Sequence, residues 1–258
     1  MIHAPSLRRF LVLSLLVVFA TAASAQTPAP VPAAAAPPPP PPGWTGSFGA
    51  GFALAKGNSD TSHINASYDT KRDTGSNVLF KSSGLFLRGE SDGTVDTNRL
   101  GLDGRVDRKL STKTSVYGQM QYLHDEFKEI DYLLSPTVGI GYQVVKSATT
   151  EFAVDAGVGV VWEKNPGRDV DVSGALTAGE HFKHTLTKTT EVTEKFAALW
   201  KTKDFDDSLF TFGVGLAASV TSMTQLKFEL LETYKNKPPT AETQKSDLAV
   251  LISFVFKY

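Results

Sequence analysis

The 258-residue chain carries 26 lysines and arginines against 27 acidic residues, is 41% hydrophobic, and contains no cysteine. So even a charge balance leaves no electrostatic footprint for nucleic acid. The lack of cysteine excludes a disulfide framework and lipid attachment at a processed cysteine.

Arg8 and Arg9, the apolar run Phe10 to Ala20, and Ala23-Ser24-Ala25 have the order of a cleaved secretion signal. The apolar run is too short to cross ~30 Å of hydrocarbon as a helix. Cleavage near Ala25-Gln26 is expected, and residues 1–25 are then an address outside the fold. Loss of the two arginines leaves 24 basic and 27 acidic residues, a net charge of −3. Residues 26–43 (QTPAPVPAAAAPPPPPPG) favour polyproline II and read as a disordered periplasmic tether. One domain remains, 44–258.

That domain shows period-two alternation throughout. Leu248, Val250, Ile252, Phe254, Phe256 and Tyr258 share one face of the last segment; Phe152, Val154, Ala156, Val158, Val160 and Trp162 share one face of another. Such a period is a strand whose two faces meet different surroundings. Twelve strands are expected, over 44–55, 61–72, 76–88, 97–108, 113–124, 132–144, 149–163, 171–183, 189–201, 208–220, 224–235 and 245–258. Around Ser82-Ser83-Gly84 the two faces are hardest to tell apart. Even-numbered connections are short, such as Asp73-Thr74-Gly75. Most odd ones are longer, as at Gly89 to Asp96, Asp125 to Asp131, Lys164 to Val170 and Asn236 to Gln244. Short turns on one side and longer loops on the other match the periplasmic and extracellular ends of an antiparallel transmembrane β-barrel.

Of the 24 aromatic residues beyond residue 25, 21 carry even numbers; Tyr117, Phe127 and Phe205 do not. Parity kept through so many hairpins requires turns of consistent register and one face apolar throughout. The aromatics also fall near strand ends, as girdles at two membrane interfaces would. An all-β barrel in the outer membrane of a Gram-negative envelope follows, with a soluble sandwich as the alternative. The alternating last strand, ending on Phe254, Phe256 and Tyr258, resembles the assembly signal of outer-membrane barrels, which implies the barrel-assembly machinery as a partner beside the secretion machinery.

Trp44-Thr45-Gly46-Ser47 leads through Gly49-Ala50-Gly51-Phe52 into Lys56-Gly57-Asn58-Ser59-Asp60-Thr61. The Gly57, Asn58, Ser59, Asp60 hairpin resembles that of the salt-induced outer-membrane protein family, whose function is uncharacterised. The resemblance implies an outer-membrane barrel with a link to salt or osmotic stress. It implies no catalytic residue and no cofactor.

Candidate chemistry is sparse. His124-Asp125-Glu126 would suit an outer-membrane hydrolase of lipid or peptide, but adjacent strand residues point to opposite faces and no serine motif stands nearby. His63, His181 and His184 lack metal-ligand spacing. Acids at the loop side (Glu90, Asp92 and Asp96; Asp125, Glu126, Glu129 and Asp131; Asp204, Asp206 and Asp207) could form a rim for divalent ions or lipopolysaccharide, or a solvated acidic face. The lumen is the remaining surface. Lys81, Arg99, Asp103, Arg105, Asp107, Gln119, Gln121, Asp155, Lys195, Lys227 and Glu229 are expected to line it, with Arg99, Asp103, Arg105 and Asp107 as a ladder along one strand. Opposite charges are expected to pair across neighbouring strands. The leading reading is a non-enzymatic structural barrel or a narrow polar pore in contact with outer-membrane lipid. Its oligomeric state is not legible.

Overall fold

The computed structural model describes residues 43–55 and 61–258, and side chains from residue 62 onward after the first strand. The strands are β1 (Trp44–Ala55), β2 (Thr61–Asp73), β3 (Val78–Ser91), β4 (Thr94–Lys109), β5 (Thr114–Asp125), β6 (Ile130–Lys146), β7 (Thr150–Lys164), β8 (Asp171–Thr185), β9 (Thr190–Lys201), β10 (Asp204–Ser219), β11 (Thr224–Lys235) and β12 (Ser246–Lys257). All pair antiparallel with their sequence neighbours, and β1 pairs with β12 to close a barrel. Among the described residues the only helical piece is a 3-10 turn, Glu126–Lys128. The twelve expected strands are all present. The signal segment, nearly all of the tether and the hairpin Gly57, Asn58, Ser59, Asp60 lie outside the described residues.

Period-two alternation sorts the residues as its geometry demands. Even-numbered Val138, Ile140, Val158, Phe228, Val250, Ile252 and Phe254 stand exposed on the outer wall. Odd-numbered Leu123, Leu133, Val161, Leu199, Leu231 and Leu251 are buried inside. Outer rings of adjacent strands touch near both ends: Phe48 stacks on Tyr258 at 5.4 Å and Phe152 meets Phe182 at 6.4 Å at one, and Trp200, Phe210 and Tyr234 pack within 5.6–6.1 Å at the other. A soluble sandwich would bury this face, so the closed barrel with an apolar exterior rules that alternative out.

The exceptions to parity have local causes. Tyr117 points inward onto Arg105, Phe127 belongs to the 3-10 turn, and Phe205 lies where β10 shifts register between Asp204 and Ser208. The blurred faces of β3 come from Tyr68. Its hydroxyl lies 3.1 Å from Ser82 Oγ, and a Cβ on Gly84 would sit 2.4 Å from its ring, so both outward positions must be small.

One end carries only short turns, at 74–77, 110–113, 147–149, 186–189 and 220–223 (the turn end). The other (the loop end) has longer connections at 126–129, 165–170 and 236–245, but the expected long loop from Gly89 to Asp96 is corrected. β3 and β4 run on as a hairpin around Asp92-Gly93, both at positive φ (50° and 77°), the backbone that a two-residue turn requires. Thr202-Lys203 likewise joins β9 to β10 directly, which places Asp204, Asp206 and Asp207 in a strand.

Candidate functional site: the two halves of the lumen

Of the expected lumen residues, Lys81, Asp103, Arg105, Asp107, Gln119 and Asp155 bond to one another in one network, and the interior is divided. Toward the turn end it is polar and open. Arg105 is the centre: its guanidinium bonds Asp107 at 3.0 Å and Asp155 at 3.2 Å and lies 3.6 Å from the Tyr117 ring centre. Tyr117 donates to Asp155 at 3.0 Å, and Lys81 meets Asp107 at 3.0 Å. Gln119 donates to Asp103. Gly139 and Gly157 make room for Tyr117, because a Cβ on either would lie 2.5 Å from it. Lys195 faces Asp69 at 3.9 Å with both side chains about 60% exposed. Pairing runs along strands as well as across them: Arg105 with Asp107 and Lys227 with Glu229 are each two residues apart on one strand. The expected ladder is therefore Asp103, Arg105 and Asp107, with Arg99 in a different environment.

Toward the loop end the lumen is closed. Leu123, Ile130, Leu133, Val161, Ala175 and Leu199 pack together, none more than 8% exposed, and Leu209 packs against them. Leu87, Leu231 and Leu251 form a second cluster with Leu85 and Ala249. Above them lies a buried ionic knot. Glu163 takes Lys235 at 2.8 Å and Lys201 at 3.0 Å; Asp207 takes the same lysines at 3.2 and 2.7 Å; Asp171 takes Lys201 at 3.1 Å. Alternating signs around this ring let each buried charge keep opposite neighbours, which burial demands. Arg99 spans the interior from β4 to donate to Thr233 on β11, and lies 3.6 Å from Asp125.

The connections complete the closure. The 3-10 turn drives Lys128, fully buried, across the mouth to Asp247 at 2.8 Å and to the Gln244 carbonyl at 2.8 Å on the opposite wall. Asn165 donates to the Glu129 carbonyl at 2.6 Å, Thr240 to Glu129 at 3.1 Å, and Arg168 to the Pro239 carbonyl. The connections 126–129, 165–170 and 236–245 thus interlock as a lid.

The other candidates resolve into structural roles. His124 Nδ1 lies 2.8 Å from the Asp131 carbonyl and His184 Nδ1 2.8 Å from Thr150 Oγ. Several expected rim acids are occupied: Asp125 caps the 3-10 turn by accepting from the Lys128 N–H at 3.2 Å, Asp207 sits in the knot, and Asp204 binds Lys237. That bond holds the Lys237 ammonium above the usual lysine range. Among the described residues no group of three or more acids and histidines converges as a metal site. The knot and the buried Lys128 were absent from the expected lumen, though Glu163, Lys201, Asp207 and Lys235 all carry inward parity at loop-end strand tips.

These features define a closed antiparallel β-barrel with an apolar exterior and a lumen sealed at one end. The chain belongs to the family described as "Protein of unknown function, DUF481", whose model matches residues 48–258. No curated protein matches it. Among solved structures it is similar to the NanC porin (10% identity, TM-score 0.49, covering 84% of this chain and 100% of that one). It is also similar to an outer membrane channel from Pseudomonas putida F1 (14%, 0.49, 85% and 96%). The translocator domain of the autotransporter NalP from Neisseria meningitidis is comparable (10%, 0.47, 83% and 88%). Nothing about activity transfers at these levels of likeness.

Proposed function

We propose that this chain is a non-enzymatic outer-membrane barrel: a narrow polar pore held shut at its extracellular end, opening to the periplasm as a charged vestibule. In this reading the apolar outer wall with ring contacts near both ends meets lipid. The turn end, where β1 begins, faces the periplasm, and the loop end faces outward toward lipopolysaccharide. Residues 1–25 are removed by the secretion machinery, and Phe254, Phe256 and Tyr258 engage the barrel-assembly machinery.

The observation that carries the pore reading is the contrast within one lumen. A wall needs no exposed lysine and aspartate inside, and a permanently solid barrel needs no single buried lysine strutting its mouth. Lys128 is that strut, and removing it is the natural perturbation. Mature protein (Gln26 to Tyr258) in a planar bilayer should show little current. Lys128→Ala should give discrete conductance steps, and Asp247→Ala should do the same. Folded variants that stay silent would make the barrel a structural element of the envelope and end the pore reading.

A further inference from the structure

Two arginines interrupt the apolar outer wall near its turn end. Arg72 on β2 is registered with Trp44 and Phe80, and Arg108 on β4 with Val78 and Val116. Cross-strand partners share one face of a sheet, so both arginines stand outside with these rings and aliphatic side chains. Each adjoins the turn-end tip of its strand, and only β3 separates them, which sets both at one level of the wall. Both are exposed. The Arg72 guanidinium lies 5.9 Å from the centre of the Trp44 ring, a cation–π contact with an aromatic of the interfacial kind. The adjoining acids are taken by other cations: Asp73 meets Lys109 at 2.8 Å, and Asp107, turned inward, meets Arg105 and Lys81 at 3.0 Å each. No acid carries outward parity in the turn-end half of β2, β3, β4 or β5.

Further along the same wall the surface is hollowed. Gly104 on β4 and Gly118 on β5 face outward on either side of the Val106↔Gly118 and Gly104↔Met120 pairs, and a Cβ added to either glycine meets nothing within 4 Å. The outward Gly46, Gly84 and Gly174 differ, because a Cβ there would run into Tyr258, Tyr68 and Thr202. Phe80, Leu102, Val106, Val116 and Met120 stand exposed around the hollow. A hydrocarbon chain fits such a trough. A phosphate fits the arginines beside it, because guanidinium groups donate in pairs to its oxygens with charge assistance.

We propose that the turn-end wall of β2 to β5 is a binding site for an anionic phospholipid, resting on the membrane reading above. The lipid's phosphodiester sits between Arg72 and Arg108, and one acyl chain lies over Gly104 and Gly118. Two cations with no outward acid beside them favour a headgroup of net negative charge over a zwitterionic one. The wall of β11 and β12 has no outward charge near its turn end and lacks the site.

The cysteine-free chain makes a direct test simple. Mature protein (Gln26 to Tyr258) is labelled with bimane at Leu102→Cys, beside the trough, or at Val250→Cys, on the β11–β12 wall equally far from the turn-end tip of its strand. Each barrel is refolded into phosphatidylcholine vesicles, and chain-brominated phosphatidylglycerol or chain-brominated phosphatidylcholine replaces a rising fraction of the lipid. At the Leu102 position phosphatidylglycerol should quench with about tenfold higher apparent affinity than phosphatidylcholine, while at Val250 the two should be equal. Arg72→Gln with Arg108→Gln should abolish the preference at Leu102, and Gly104→Leu should weaken quenching there by phosphatidylglycerol. The same preference at both positions, or a preference that survives loss of both arginines, overturns the site. Displacement of the brominated phosphatidylglycerol by inorganic phosphate, against chloride at equal ionic strength, overturns recognition of a lipid in favour of a simple anion site. The comparison of the two labels needs no change at the arginines and stands even if their double variant fails to fold. Absence of quenching at both positions by both lipids would instead sink the membrane reading itself.

Discussion

Glu163 holds the ionic knot together, and neutralising it is the sharpest test of the loop-end closure. Its carboxylate is 2% exposed, Lys235 2% and Lys201 5%, so solvent screens the contacts weakly. In Glu163→Gln, Lys201 and Lys235 lose their shared carboxylate and keep only Asp207 and Asp171. Each lysine keeps an opposite charge but loses a buried charge-assisted bond, which costs about 1.5–3 kcal/mol. That is about one to two orders of magnitude in the folded-to-unfolded ratio. Replacing both partners, Glu163→Met with Lys235→Met, removes the desolvation burden with the attraction and should leave stability within about 1 kcal/mol of the parent. Trp162 and Trp200 adjoin Glu163 and Lys201 in sequence, so denaturant unfolding in detergent micelles can be followed by their fluorescence. A loss below about 1 kcal/mol in Glu163→Gln, or an equal loss in the double variant, would refute the reasoning.

The turn-end packing makes a second demand. Gly157→Ala places a methyl against the Tyr117 hydroxyl and should cost about 1–3 kcal/mol, part of it recovered in Tyr117→Phe, as measured by the same unfolding curves. Tyr258 closes the barrel through its backbone bonds to Gly46 at 3.1 and 3.2 Å, its stacking on Phe48 and a hydroxyl donated to Thr70 at 2.9 Å. Tyr258→Ala should therefore lower the yield of heat-modifiable folded protein on refolding into vesicles, and an unchanged yield would contradict that role. In the opened Lys128→Ala background, Lys195→Glu or Lys227→Glu should move reversal potentials toward cation selectivity; a constant potential would remove those side chains from the conducting path.

The sequence revealed the architecture because a barrel repeats one rule. Alternation gave strand number and face, and held wherever the two faces meet unlike surroundings. It blurred at Ser82 to Gly84 because a ring from the next strand, Tyr68, sets the size there, and that is a tertiary constraint. It misjudged Gly89 to Asp96 because polar residues in a strand projecting past the apolar band look like a loop; Asp92-Gly93, a good two-residue turn, was the available signal. The sealed half of the lumen was written in odd-numbered leucines and in the inward parity of Glu163, Lys201, Asp207 and Lys235. Lys128 could not be found that way. Its position depends on a 3-10 turn crossing to a strand six places around the ring, and no local pattern encodes that reach.

Thiol accessibility tests the divided lumen most directly, since the chain has no cysteine of its own. Lys195→Cys and Val161→Cys would be exposed to a bulky, membrane-impermeant maleimide in the folded, detergent-solubilised barrel, where both ends are open to reagent. Lys195→Cys, in the open half, should be labelled within minutes. Val161→Cys, fully buried in the apolar cluster, should stay protected until the barrel is denatured. Comparable labelling of both in the folded state would mean an open lumen and contradict the closure.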